Sequence, residues 1–235
     1  MKLFYDLHIH SCLSPCGSDE MTPNNIVNMA YLKGLNIISV TDHNTGKNCD
    51  VISRLGKKIG ILVIPGMEIQ TKEEVHILCY FPHLDALKDF EVELDQHRIQ
   101  IPNRPEKFGN QWILDEDDIK VEDYPLALIL SVNISLDQLN VLVEKYGGVI
   151  VPAHVNKSSN SMLSNLGFIP ETLDLKYVEV FMNAPVPKSI LDSYDILKNS
   201  DAHSLGQISE PENSMELKEK TINAVIDFLK RRGTL

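Results

Sequence analysis

Imidazoles and carboxylates recur through this chain in short pairs. Asp6-Leu7-His8-Ile9-His10 stands near the start, followed by Thr41-Asp42-His43-Asn44 and Pro65-Gly66-Met67-Glu68. Glu74-Val75-His76, Pro152-Ala153-His154 and Ser200-Asp201-Ala202-His203 complete the set. Six of the eight histidines fall in, or at the end of, a segment that reads as a strand. Residues two apart on a strand share a face, so His8 and His10 can aim both rings at one point. In parallel α/β folds the active site collects at the carboxyl ends of the strands. Mixed imidazole and carboxylate donors suit zinc, manganese or iron better than calcium or a thiolate-only structural site. One histidine near a strand end is ordinarily a satisfied polar residue. Six, joined by Glu68 and Asp201, point to a metal centre.

Hydrophobic patterning supplies the elements that must position these residues. Residues 2–9, 35–40, 61–64, 75–81, 149–151, 176–181 and 195–199 read as strands. Thr22-Pro23 opens a helix, with Thr22 as N-cap and Pro23 in the first turn, and Gly34 is its stop. Residues 47–58 form a further candidate helix. Ser135 and Gln138 have capping-box spacing at the head of a helix that Gly147-Gly148 ends. A long final helix is expected over Asn213–Arg232. This alternation predicts a parallel sheet with helices outside, open or closed into a barrel.

One region breaks the rhythm. From about residue 84 to 133 the chain is charged and contains Pro102, Pro105 and Pro125. It reads as an insertion within a single domain spanning 1–235: a helix at about 84–100, then a loop or hairpin. Its acidic run at 115–124 reads as a solvated face. His83 and His97 lie beside or within it and receive no role.

Composition sets outer bounds. The chain has 235 residues, with Lys plus Arg 22 against Asp plus Glu 33, for a formal charge of −11. That balance argues against duplex DNA and anionic membrane as partners. Aromatic residues at 6% leave little for a stacking platform, which lowers the case for a nuclease. No run of about 18 apolar residues is present, so no membrane span is expected. The four cysteines at 12, 16, 49 and 79 are too few and one-sided for a disulfide scaffold. Together with an N-terminus lacking an apolar signal core, they place the expectation in the cytoplasm.

Taken as a set, His8-x-His10, Thr41-Asp42-His43, Gly66-x-Glu68, His76, Ala153-His154 and Asp201-x-His203 resemble the PHP domain, the polymerase and histidinol phosphatase superfamily. The resemblance runs from residue 6 to about 206. It implies a distorted (β/α)7 TIM-like barrel, a centre of two or three divalent ions (Zn, Mn, Fe or Mg) and phosphoester hydrolysis. By position it makes His8, His10, Glu68 and Asp201 ligands of a first ion. Glu68 would bridge to a second ion held by His76 and His154, and His43 and His203 would hold a third. Asp42 would orient His43 from behind. Many members carry an Asp or His about five residues after the second His. Here Pro15 occupies that place in a longer loop. Asp19 or Glu20 is the expected loop ligand, Asp19 ahead, with Cys16 as a further candidate.

The implied activity is hydrolysis of a phosphate ester of a small metabolite or nucleotide by metal-bound hydroxide. Glu68, His154 and His203 would be the catalytic residues, with His203 or His154 protonating the leaving oxygen. Lys157 is a candidate for gripping a phosphate. The alternatives are an exonuclease on short oligonucleotides and a non-catalytic regulatory metal-binding module.

Overall fold

The computed structural model describes residues 1–181 and 183–230. In chain order the elements are β1 Lys2–Ile9, α1 Pro23–Leu32, β2 Ile37–Val40, α2 Cys49–Ile59, β3 Leu62–Val63, β4 Gly66–Gln70, β5 His76–Tyr80, α3 Leu84–Leu94, α4 Pro105–Phe108, β6 Trp112–Leu114, β7 Lys120–Asp123, α5 Leu136–Lys145, β8 Val149–Pro152, α6 Met162–Asn165, β9 Tyr177–Glu179, α7 Lys188–Ser193, β10 Asp195–Leu197, β11 Ser214–Glu216 and α8 Ile222–Lys230. The helix signals act as read: Thr22 Oγ1 accepts from the Asn25 N–H, and Ser135 and Gln138 close a capping box on α5.

β1 is an inner strand of the order β11-β1-β2-β3. Its alternation serves two masters. Leu3, Tyr5 and Leu7 enter an apolar cluster with Ile37, Ile64, Leu78 and Val225, while Asp6 and His8 occupy the alternate positions. Both sets are buried, as an inner strand requires. β1, β2 and β3 pair in parallel, β9 and β10 likewise.

The expected all-parallel rhythm fails at the Glu68 strand. β4, β5 and β8 form a separate antiparallel sheet. Only residues 71–75 join β4 to β5, too few for a parallel crossover, which takes about a dozen. Among the described residues the ladders form four sheets and do not close into one barrel. The class is mixed α/β. Single bridges set Ala202 against Ile9 of β1 and His43 against Glu68 of β4, and both lie at the histidine-rich end.

The expected long last helix is divided. Met215 and Leu217 are both buried, a period of two, and residues 214–216 pair with β1 as a strand. The helix begins at Ile222 and keeps Val225, Ile226 and Leu229 inside. Arg231 and Arg232 lie outside the described residues. Within residues 84–133, α3 and α4 precede a β6–β7 hairpin, and Glu116 of its acidic turn pairs with Arg54 and with Lys58 at 2.6 Å. Leu13, Tyr124 and Leu128 pack this segment onto the loop after His10. Among the described residues no helix is long and apolar enough to cross a membrane.

Candidate metal centre

Glu68 lies at the middle of the site and is 1% exposed. Its Oε1 faces His76 Nδ1 at 3.0 Å, and His8 Nε2 and His154 Nε2 at 3.3 Å. Its Oε2 faces His43 Nδ1 at 3.0 Å and His10 Nε2 at 3.5 Å. Asp201 Oδ1 stands 3.3 Å from the Nε2 atoms of both His8 and His10 and 3.7 Å from His203 Nε2. Lys157 Nζ pairs with the other oxygen of Asp201 and lies 5.0 Å from the centre of the Phe181 ring.

Backbone bonds between neighbouring segments create this convergence. The Asn44 N–H donates to the Glu68 carbonyl at 2.7 Å, and the Glu68 N–H to the Asp42 carbonyl at 3.1 Å. The His10 N–H donates to the Ala202 carbonyl at 2.9 Å, setting Asp201 and His203 beside the His8-Ile9-His10 strand. His154 and Asp201 have φ of 30° and 52°. Such left-handed backbone costs of order 1–3 kcal/mol per residue and collects at functional sites.

The charges in the site are strongly coupled. Burial opposes ionisation of Glu68, yet the rings around it, His76 and His8 foremost, outweigh it and hold the carboxyl well below the usual range. Burial likewise opposes a charge on His8, but Glu179, Asp201 and Glu68 reverse that and raise its pKa well above the ordinary value. His43 goes the other way: burial dominates and keeps it neutral. Burial, aided by the charge of His10, brings His203 down to about 4. Asp201 is held low against burial, chiefly by His8 and His10.

A buried carboxylate that the motif reading passed over supports the centre. Glu179 of β9 places both oxygens 3.0 Å from His8 Nδ1 and accepts from the His154 N–H at 2.8 Å and Asn199 Nδ2 at 2.7 Å. The one sequence signal was a carboxylate inside the apolar run 177–180, since a buried acid needs a partner.

The structure brings together His8, His10, His43, Glu68, His76, His154, Asp201 and His203, and sets Lys157 against them. It leaves Asp19 outside. Asp19 is exposed and accepts from Asn110 Nδ2 at 2.9 Å; the tight turns at 11–14 and 14–17 bring the chain to the site at Cys16, three residues earlier. Glu20 is exposed as well. Asp42 does not hold His43. Its carboxylate accepts from Ser11 Oγ and Ser14 Oγ, both at 2.6 Å, and Ser14 Oγ stands 3.0 Å from His10 Nδ1, so Asp42 supports His10 instead.

These donors fit a cation. Four sets lie with their ligand atoms within 4.8 Å: His8, His10 and Asp201; His10, His43 and Glu68; Glu68, His76 and His154; and His10, Cys16 and His203. Both Glu68 oxygens are buried and receive no well-formed hydrogen bond despite the five rings around them. A buried carboxylate left so is costly, and divalent cations held by Glu68 with the surrounding rings would offset that cost.

The chain matches the PHP domain over residues 6–234. A 5'-3' exoribonuclease of Haemophilus influenzae is 32% identical over 114 residues, 45% of this chain and 40% of that protein. The lesion-specific endonuclease PfuEndoQ from Pyrococcus furiosus superposes with a TM-score of 0.68 at 22% identity, over 98% of this chain and 56% of that one. Endonuclease Q in complex with a 27-mer duplex substrate, an abasic lesion at its active site, gives 0.66 at 21% identity, over 98% and 57%. This chain therefore spans about half of each relative, and the solved structures speak for the fold. The duplex complex overturns the exclusion of duplex DNA drawn from net charge. A chain's total charge does not set the local field at a site that takes divalent cations. The chain belongs to the PHP domain family, a family of metal-dependent hydrolases.

Proposed function

We propose that this protein hydrolyses phosphate esters of nucleotides, from mononucleotide esters to nucleic-acid strands, with two or three divalent ions on the Glu68 cluster. The observation that carries the reading is Glu68 itself: a buried, ionised carboxylate with no proper hydrogen bond and five imidazole nitrogens within 3.5 Å. The nucleotide class is favoured by the relatives, one an exoribonuclease and one a lesion-specific endonuclease. Bound divalent ions supply positive charge for the phosphoryl oxygens and acidify a water at neutral pH.

The chain's own residues divide the work as follows. His8, His10 and Asp201 hold one ion, and His76 and His154 hold another, with Glu68 between them. His43 and His203 face a further ion. Lys157 meets a phosphate oxygen from the Asp201 side. Of the two imidazoles near the leaving oxygen, His203 is the more open to substrate, its side chain 35% exposed against 4% for His154, and it meets substrate at the further ion. Residues 84–133 are an insertion that walls the site and sets substrate size, resting on the metal loop through the Trp112 N–H to the Cys12 carbonyl at 3.0 Å.

The test is a panel assay. Chelated protein is reloaded separately with Mn, Zn, Fe or Mg, then offered an aryl phosphate ester, mononucleotides, a short RNA and a duplex with an abasic site. Hydrolysis that requires metal and favours the nucleotide substrates supports the proposal. No hydrolysis under any metal would make the chain a binding module, and hydrolysis surviving full chelation would remove the metal role.

A further inference from the structure

The loop after His10 carries a thiol, that of Cys16, to the edge of the site. Cys16 lies with His10 and His203, their ligand atoms within 4.8 Å of one another. The other three cysteines are buried and Cys16 alone of the four is exposed. Cys12, four residues earlier, packs inside with its sulfur 4.0 Å from the Trp112 carbonyl. His10 is fully buried, and His203 Nδ1 is a buried atom with no hydrogen-bond partner.

The turn that delivers Cys16 is built rather than loose. The Ser14 N–H donates to the Ser11 carbonyl at 3.0 Å and the Gly17 N–H to the Ser14 carbonyl at 2.9 Å. The Ser18 N–H then donates to the His203 carbonyl at 2.9 Å, tying the loop to the segment of its partner ligand. Gly17 passes so close that a Cβ there would sit 2.2 Å from the Ser11 carbonyl oxygen. On the outer side, Gly109 of the 84–133 segment lies against Pro15. The loop that carries Cys16 is thereby held between the His203 segment and the 84–133 segment.

We propose that Cys16 is a metal ligand that joins His203 at the further ion, a mixed nitrogen and sulfur position beside His10 within the proposed metal centre, on which this inference rests. On binding, the S–H bond breaks, the proton leaves to solvent and a sulfur–metal bond forms, with no change of oxidation state. A thiolate donor selects for zinc, cobalt or ferrous iron and against magnesium. The last position of the centre is therefore thiophilic, and alkylation of one exposed side chain closes it.

Chelated full-length protein is titrated with cobalt(II) and followed by absorption. Wild type is expected to develop a near-ultraviolet thiolate-to-cobalt charge-transfer band as the last ion binds. Cys16→Ser loses that band and weakens the last ion by about 10-fold or more, on the scale of altered metal shells. Cys16→His recovers the affinity without the band, showing that the loop is intact. In wild type, zinc protects Cys16 from iodoacetamide by roughly 10-fold and magnesium does not. Cobalt bound by nitrogen and oxygen donors with no thiolate band, or labelling equal with and without zinc, overturns the assignment and leaves the Glu68 centre standing. No cobalt binding at all would overturn both.

Discussion

Both carboxylate oxygens of Glu179 lie 3.0 Å from Nδ1 of His8, whose Nε2 faces Glu68 and Asp201 at 3.3 Å. One ring is therefore gripped on one side and free to offer its other nitrogen to a cation. A carboxylate behind a metal-binding imidazole fixes the tautomer and raises the donor strength of the far nitrogen.

Glu179→Gln keeps the shape and removes the charge. It is expected to weaken metal binding by about 10–100-fold with the circular dichroism spectrum unchanged. Competition titration with a metallochromic chelator reads this directly. An unchanged affinity would reduce Glu179 to a packing residue.

Asp42 acts on the other histidine of the strand. It accepts from the Ser11 N–H at 2.7 Å and from the Ser11 and Ser14 hydroxyls, so Asp42→Ala strands three buried donors. The expected loss of stability in urea unfolding is about 1–3 kcal/mol, together with weaker metal binding through His10. A variant as stable as wild type would show that the loop has other support.

The strand that aims His8 and His10 was legible because alternation fixes side-chain direction whatever the tertiary context. Thr22, Ser135 and Gln138 were legible as caps for a similar reason, since their partners lie within three residues. Glu179 was not, because His8 is 171 residues away and nothing near Glu179 names it. The antiparallel turn of the Glu68 strand was hidden because Gly66–Gln70 was not read as a strand of its own, although only 71–75 separate β4 from β5. Asp19 was favoured over Cys16 on residue chemistry alone; the turns at Ser14 and Gly17, which decide the loop's course, are a matter of packing. Net charge was no basis for excluding duplex DNA, because a total over the whole surface does not set the field at one site.

The pH response of the metal-free protein follows from His203. Its folded pKa is about 4, against about 6.5 for an unfolded histidine. Between those values the unfolded chain binds a proton that the folded chain refuses, so stability falls as pH drops through that window. His203→Asn removes the group and is expected to lose less stability than wild type between pH of about 6.5 and about 4. Urea unfolding of chelated protein checks it; parallel profiles for the two proteins would contradict it.

The most direct measurement is metal content and hydrolysis in Glu68→Gln, compared with wild type after identical loading. The amide keeps the volume of Glu68 and loses the bridging charge. The account predicts a folded protein that holds fewer ions and hydrolyses the nucleotide panel at least about 100-fold more slowly. A folded Glu68→Gln protein with wild-type metal content and wild-type rate would contradict it.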